Sequence, residues 1–288
     1  MNRRAFIAGA AAASAAALAA CATGRRSATS PGARPSTPAG SETTASTAAP
    51  PGDSSTGGTA AHQGPGGPSS GQAQGPSGPR SGEAQGPAAF VSHGPLTGGG
   101  VALTFHTAGP ASITTDILDQ AGAVGAHLTF FVVGQWLAAN PGMAQRILDG
   151  GHELANHTWS HVDIAHLDAA AMQAEITRCA DVLQRQTGSI GRWFRPSQID
   201  VPTPALLAQA AQAGYATCVG FDVDPLDYTD PPPAPALILS RTRARIHPGA
   251  IVSLHTLHPG TARAFGGIVA AIHARGLQAV TVSSVLGG

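Results

Sequence analysis

From residue 90 onward, apolar and polar positions follow an alternating order along the chain. Short apolar runs typical of buried strands lie at 101–105, 128–133, 152–155, 216–221, 250–254 and 277–282. Stretches with helical periodicity follow them near 115–123, 169–187, 203–213, 235–246 and 261–274. Repeated strand-then-helix units predict an α/β fold, a parallel sheet with helices outside it. The periodicity alone leaves barrel and open sheet as alternatives.

Helix boundaries are marked by capping residues. Asp168 precedes an apolar stripe of helical spacing, and Gly188 follows it. Thr203, followed by a proline, is a typical N-cap, and Gly214 marks the end of that second helix. The sequence therefore predicts two helices with defined ends in the middle of the chain.

The first 20 residues have the pattern of an export signal. Arg3 and Arg4 precede an uncharged, alanine-rich apolar run that is too short for a membrane span. The paired arginines resemble a twin-arginine signal. The run ends at Leu18-Ala19-Ala20-Cys21, which resembles a lipobox with Cys21 as the lipidated residue. An ordinary secretory signal with an incidental cysteine is the alternative.

Residues 21–89 are predicted to be a disordered tether. Between residues 27 and 89 there is no Val, Ile, Leu, Met, Phe, Tyr or Trp. A segment with so little to bury does not offset the entropy of folding. We therefore expect one folded domain, residues 90–288, on a flexible tether. Lipidated Cys21 would attach it to the outer face of the cell membrane, and without lipidation it would be secreted.

Composition narrows the classes of partner. The formal net charge is zero, with 16 basic and 16 acidic residues, and all the basic ones are arginine. This balance gives no basic face for nucleic acid, and we expect a monomer. Cys179 and Cys218 lie on apolar stretches, which favours buried thiols, although an exported protein permits a disulfide.

Residues with catalytic side chains follow several predicted strands directly. His106 follows the first, His157 and His161 the third, and His255 the strand at 250–254. Three carboxylates, Asp222, Asp224 and Asp227, follow the strand that ends at Phe221. Because sites of α/β folds lie at the carboxyl ends of parallel strands, we expect these side chains to meet.

His157 and His161 are spaced for metal binding. On a helical turn, residues four apart project from the same face, so both imidazoles can reach one divalent cation. Two histidines suit Zn²⁺ or a similar first-row metal. The same spacing also arises by chance on polar helix faces.

In order along the chain, the motifs resemble those of the polysaccharide deacetylase family, carbohydrate esterase family 4. They are His157-Thr158-Trp159-Ser160-His161, Phe194-Arg195-Pro196, Asp224-Pro225-Leu226-Asp227-Tyr228 and Ser253-Leu254-His255. The resemblance covers nearly all of the predicted domain. It implies a distorted (β/α) barrel of about seven strands and metal-dependent hydrolysis of N-acetylated glycans.

One motif departs from this resemblance. The family carries Thr-Phe-Asp-Asp-Gly after the first strand, where the first Asp is the general base and the second is a metal ligand. This chain has Thr104-Phe105-His106-Thr107 instead. Histidine binds zinc well, so His106 with His157 and His161 would form a three-histidine zinc site. The alternative is that His106 packs at the strand end and the site binds metal weakly or not at all.

The resemblance also assigns the remaining roles. His255 would be the general acid, and Asp224 would pair with Arg195 and tune the acid or base. Asp227 belongs to the same motif, and the general base has no assigned residue. The expected function is metal-dependent hydrolysis of C–N amide bonds, most simply deacetylation of a cell-wall glycan. A silent glycan-binding domain and a hydrolase of small amides are the alternatives.

Overall fold

The structure, a computed structural model, describes residues 86–287. The predicted export signal, Cys21 and all but the last few residues of the predicted tether lie outside this range. The strands are β1 (Ala89–Val91), β2 (Gly100–Thr107), β3 (Thr129–Val132), β4 (Glu153–Asn156), β5 (Thr217–Val219), β6 (Ile251–His255) and β7 (Gln278–Val280). The helices are α1 (Ala111–Val124), α2 (Gly134–Ala139), α3 (Met143–Asp149), α4 (Ala169–Thr187), α5 (Pro204–Gln212), α6 (Pro235–Arg245), α7 (Pro259–His273) and α8 (Val282–Leu286).

The strands form a parallel barrel. Neighbouring strands run β4-β3-β2-β6, β7 also pairs with β2, and β1 pairs with β5. Single-residue bridges join the remaining gaps: Phe194 links β4 to β5, and Val223 links the segment after β5 to β6. All pairings between the named strands are parallel. The predicted α/β class and distorted barrel of about seven strands are confirmed.

Side-chain capping fixes the predicted helix starts. The Asp168 carboxylate accepts a hydrogen bond from the Ala171 N–H at the start of α4, and α4 ends at Gly188 in the left-handed region (φ 76°). The Thr203 hydroxyl accepts from the Leu206 N–H at the start of α5. Such caps satisfy backbone donors that the first helical turn leaves unpaired.

The apolar core lies between the barrel and its helices. Its largest cluster joins β2, β3 and β6 to α1 and α7, with Phe105, Phe130 and Phe265 fully buried. A second cluster packs α4 and α5 against Phe194 and Tyr215. Cys179 and Cys218 are buried free thiols, as predicted.

Strand β1 begins at Ala89, close to the predicted start of the domain. Ala88 is already buried, and its N–H donates to the carbonyl of Leu207. The folded part therefore includes residues just before position 90. Among the helices of residues 86–287, none has the length and apolar character required to cross a bilayer.

Candidate active site

The pairing of β2 with β6 brings two of the predicted residues side by side. His106 and His255 are register partners at the carboxyl ends of these strands, and their ring centroids are 4.4 Å apart. His106 is followed inward along β2 by Thr104 and Ala102, which are both fully buried. Because side chains alternate along a strand, His106 lies on the same face as Thr104 and Ala102. The register with β6 then brings both imidazoles to the same end of the barrel.

His106 also belongs to a group of three histidines. The ring centroid of His157 lies 4.3 Å from that of His106 and 5.0 Å from that of His161. Each of the three offers a nitrogen, and these atoms lie within 4.8 Å of one another. The structure therefore brings together the three side chains predicted to bind a metal.

The segment that carries His157 and His161 is a loop rather than the helical turn we expected. Thr158 and His161 have positive φ angles of 66° and 59°. Left-handed backbone is uncommon for residues other than glycine, and it costs free energy that the surroundings must offset. The prediction that the two rings share a helix face is wrong, although the two rings do meet.

The N-terminus of α2 holds one side of this loop. Backbone N–H groups of Gly134 and Gln135 donate to the carbonyls of Thr158 and Trp159, both at 2.9 Å. A Cβ at position 134 would lie 2.7 Å from the Trp159 ring and 3.0 Å from the Cys179 backbone. Glycine at 134 is therefore required by the close approach of the loop.

Helix α4 holds the other side through Glu175. Its carboxylate accepts from the backbone N–H groups of Trp159 and Ser160 at 3.1 and 2.8 Å, and from the Ser160 hydroxyl at 2.8 Å. One turn further along α4, the Arg178 guanidinium lies 4.4 Å from the Trp159 ring centroid. No sequence motif identified Glu175, because its role depends on how α4 packs against the loop.

His157 meets the requirements for a metal ligand. Its Nδ1 lies 2.9 Å from the carbonyl oxygen of Arg195, so Nδ1 carries the proton and Nε2 keeps a free lone pair. Nε2 is buried and has no hydrogen-bond partner among the described residues. Burial, together with the neighbouring His161, lowers the pKa of His157 well below its usual value and keeps the ring neutral. An oriented, unpartnered lone pair of this kind is typical of histidines that bind metals.

Arg195 is a buried cation without a carboxylate partner in residues 86–287. It is 1% exposed, and it donates to the carbonyls of Val219 and Gly220 and to the Thr104 hydroxyl, each at 2.8 Å. Its guanidinium also lies 4.0 Å from the Phe131 ring centroid. Burial lowers the pKa of Arg195 to about 9, so the group remains charged at neutral pH.

The predicted pair between Arg195 and Asp224 is not formed. Nη1 of Arg195 instead lies 2.9 Å from Nε2 of His106. Asp224 accepts a hydrogen bond from the Leu226 N–H and borders the pocket. Burial raises the pKa of this carboxyl group. The prediction was wrong, because the imidazole of His106 takes the guanidinium contact that was expected for Asp224.

Asp227 is the carboxylate that holds the predicted acid. It is fully buried and accepts from Nδ1 and the backbone N–H of His255, both at 2.8 Å, and from the Thr261 hydroxyl at 2.6 Å. Because Nδ1 of His255 donates to Asp227, Nε2 is the nitrogen left for a substrate. Asp222 takes no part here, since it binds His247 and the backbone of Ile251.

Thr107 does not replace the carboxylate that the family resemblance places there. It is fully buried, and its hydroxyl donates to the carbonyl of Phe105 at 3.2 Å. The hydroxyl is thus occupied within β2 itself. The first motif therefore contributes one polar side chain to the site, that of His106.

A cavity of about 430 Å³ opens beside these groups. Its polar lining includes His106, His161, His255 and Asp224, and its apolar lining includes Phe221. Tyr228 and Leu257 stand at the cavity and are 42% and 45% exposed. Tyr228 ends one predicted motif and Leu257 follows another, yet only the structure shows that they form part of the wall.

Comparison with known proteins finds relatives of this chain. A family profile described as polysaccharide deacetylase matches residues 93–218. A chitooligosaccharide deacetylase from Bradyrhizobium is 33% identical over 159 residues, which cover 55% of this chain and 71% of the relative. A chitin deacetylase from Pestalotiopsis is 31% identical over 191 residues, covering 65% of this chain and 63% of the relative. The chain thus spans just under two thirds of that chitin deacetylase.

A solved structure shows the same architecture. The family 4 carbohydrate esterase from Streptomyces lividans, crystallised with acetate, is 28% identical, and it superposes with a TM-score of 0.60. The match covers 65% of this chain and 94% of that one. From the profile, the relatives and the fold together, this chain belongs to the polysaccharide deacetylase family of enzymes.

Proposed function

We propose that this protein is a metal-dependent hydrolase that removes the acetyl group from an N-acetylated glycan. The observation that carries the proposal is the free lone pair of His157 within a group of three histidines, of which His106 and His161 line the cavity. Family membership supports the reaction class, since the relatives are named as deacetylases of chitin and chitooligosaccharides.

His157 and His161 would hold the ion, with Zn²⁺ favoured by two imidazole ligands. His106 belongs to the same group, but its Nε2 lone pair is directed at Arg195. When bound, such an ion supplies Lewis-acid polarisation and a water of lowered pKa. Buried neutral imidazoles fit this cation, because they bring no proton that it must displace.

His255 would donate the proton that the leaving amine needs. Asp227 fixes the ring by accepting from Nδ1, so Nε2 faces the cavity. Hydrolysis adds water across the amide C–N bond: the hydroxyl stays on the acetyl carbon, and the amine takes a proton. A positioned acid of this type contributes about 10²–10⁴-fold to the rate.

The cavity wall suits an acetamido sugar. Phe221, Pro196 and Ile199 offer apolar surface against which an acetyl methyl group would pack. Tyr228, whose ring centroid lies 4.7 Å from that of His255, offers a flat exposed face to a sugar ring. Carbohydrates stack on aromatic faces through their C–H groups, so this wall would orient the glycan across the opening.

A cell-wall glycan is the proposed natural substrate. The proposal depends on the predicted export signal and on Cys21 as the membrane anchor, both of which precede the described residues. An anchored domain on a tether of about 70 residues would reach glycan outside the membrane.

The test combines metal analysis with acetate release from an oligomer of N-acetylglucosamine. The purified protein should hold one zinc ion per chain and release acetate, and His157→Ala should lose both. His273→Ala is the matched control, since His273 is exposed at the end of α7. Oligosaccharide binding without acetate release would favour the silent glycan-binding alternative. Hydrolysis of small amides only would favour the alternative that the protein is a hydrolase of small amides.

A further inference from the structure

The protonation state of His106 follows from the hydrogen-bonding groups of its partner, Arg195. A guanidinium has only donors, so Nε2 of His106, 2.9 Å from Nη1 of Arg195, has to be the acceptor. A doubly protonated ring would set two donors against each other beside a buried cation. The ring is therefore neutral, and its one proton lies on Nδ1.

Arg195 cannot easily release this contact. Its other donors bind two carbonyls and the Thr104 hydroxyl, and the group is 1% exposed. The Phe131 ring lies against its face. A cation fixed on so many sides holds one N–H toward Nε2, so that lone pair is not offered to an ion. Nδ1, which carries the proton, offers none either.

Nδ1 of His106 is nevertheless available to a ligand. Among residues 86–287 no hydrogen-bond partner faces it, and it is not among the unpartnered atoms sealed from solvent. The ring borders the cavity together with His161 and His255. His106, near the end of β2, therefore presents one N–H donor to whatever occupies the cavity.

We propose that His106 is a neutral hydrogen-bond donor of the active site, which binds the acetyl oxygen through Nδ1–H, and that it is not a metal ligand. The identity of the bound oxygen depends on the function proposed above, whereas the tautomer does not. The Arg195 cation behind Nε2 polarises the ring and strengthens Nδ1–H as a donor. Donors held in advance toward an oxygen that gains negative charge lower the barrier to acyl transfer.

The tautomer is tested by nitrogen NMR of the full chain without metal. Long-range ¹H–¹⁵N correlations distinguish a ring protonated at Nδ1 from one protonated at Nε2. We expect the Nδ1 form for His106 at neutral pH, and we expect it to persist when zinc is added. A ring protonated at Nε2, or a His106 nitrogen that shifts on zinc addition as those of His157 and His161 do, would overturn the proposal.

Zinc affinity separates a donor from a ligand. His106→Gln keeps an oxygen that can accept from Arg195 and an N–H that can donate, so the fold should tolerate it. We expect its zinc affinity to stay within about threefold of wild type, well below the 10–100-fold loss that even a partner of a ligand causes. His157→Ala should abolish binding. Loss of zinc from His106→Gln would show that His106 is a ligand.

Acetate, the product of the proposed reaction, tests the bound oxygen. In an NMR titration of zinc-loaded protein, His106→Ala should weaken acetate binding by roughly tenfold, the effect of one hydrogen bond to a charged group. His106→Gln should recover most of the affinity. Equal acetate affinity in all three proteins would refute the donor role. A wild type without zinc or acetate release would refute the proposed function instead, and the tautomer would still decide the state of His106.

Discussion

Replacing Glu175 with glutamine tests how the histidine loop is held. The carboxylate accepts three hydrogen bonds from Trp159 and Ser160, two of them from backbone N–H groups. The one amide oxygen of glutamine can accept from both backbone N–H groups, and its NH₂ group then meets the Ser160 hydroxyl, which has to change from donor to acceptor. Neutral hydrogen bonds, weaker than those to a carboxylate, would then have to keep Thr158 and His161 in left-handed backbone.

The size of the effect follows from these contacts. A hydrogen bond to a charged group contributes about 1.5–3 kcal/mol, and Glu175 is partly exposed, so we take about 2 kcal/mol for the substitution. In a folded unit of this size that corresponds to a fall in Tm of about 4–8 °C for the metal-free protein. Zinc affinity should fall by about 10–100-fold, as for other groups that orient metal ligands.

The assay is competition for zinc against a chromophoric chelator, with thermal unfolding of the metal-free protein beside it. Asp181→Asn is the control, because Asp181 is an exposed carboxylate on α4 and its loss removes the same charge. Asp181→Asn should match wild type in both measurements. If Glu175→Gln bound zinc as tightly as Asp181→Asn does, the loop would not depend on Glu175, and the reasoning would be refuted.

Three further outcomes are expected. Asp227→Asn should keep zinc and lower kcat by about 10²-fold or more, because His255 loses the acceptor that orients it; an unchanged kcat would exclude this role. Burial lowers the pKa of His152 to about 4 and that of His157 well below 6.5, so the unfolded chain binds more protons below pH 6.5. The free energy of unfolding of the metal-free protein, measured by urea titration, should therefore fall as pH drops from 7 to 5, by at most about 1.4 kcal/mol per pH unit for each histidine, and a flat profile would contradict this. Cys21→Ser should release the protein from membrane fractions, and full retention after signal cleavage would count against lipid anchoring.

The fold could be predicted well where periodicity and capping were strong. The Asp168 and Thr203 caps and the run at 101–105 correspond to α4, α5 and β2. The short elements β1, α2, α3 and α8 were missed. Strands β5 and β7 are as short as β1, but an apolar run marked each of them. The missed segments offer neither such a run nor a period that can be recognised, and their conformation depends on the core they pack against.

The sequence could predict which residues form the site, but not which hydrogen bonds join them. His106, His157, His161 and His255 could be grouped because parallel strands end together. Arg195 was paired with the wrong residue, because a hydrogen-bond partner depends on side-chain positions that spacing does not contain. The spacing of His157 and His161 suggested a helix. Residues four apart can also meet across a tight left-handed loop, and spacing does not distinguish the two.

Strand β1 has a mechanical consequence. The N-terminal segment enters the folded part at Ala88 and Ala89, whose N–H groups donate to Leu207 and Ala216. Any pulling force along that segment is therefore applied first to a three-residue strand held by β5. When the force acts along the strand axis, the hydrogen bonds to β5 lie across the direction of pull and share the load in shear. The β5 side of the barrel therefore bears such a force first, while the pair β2–β6 that carries His106 and His255 is not loaded directly.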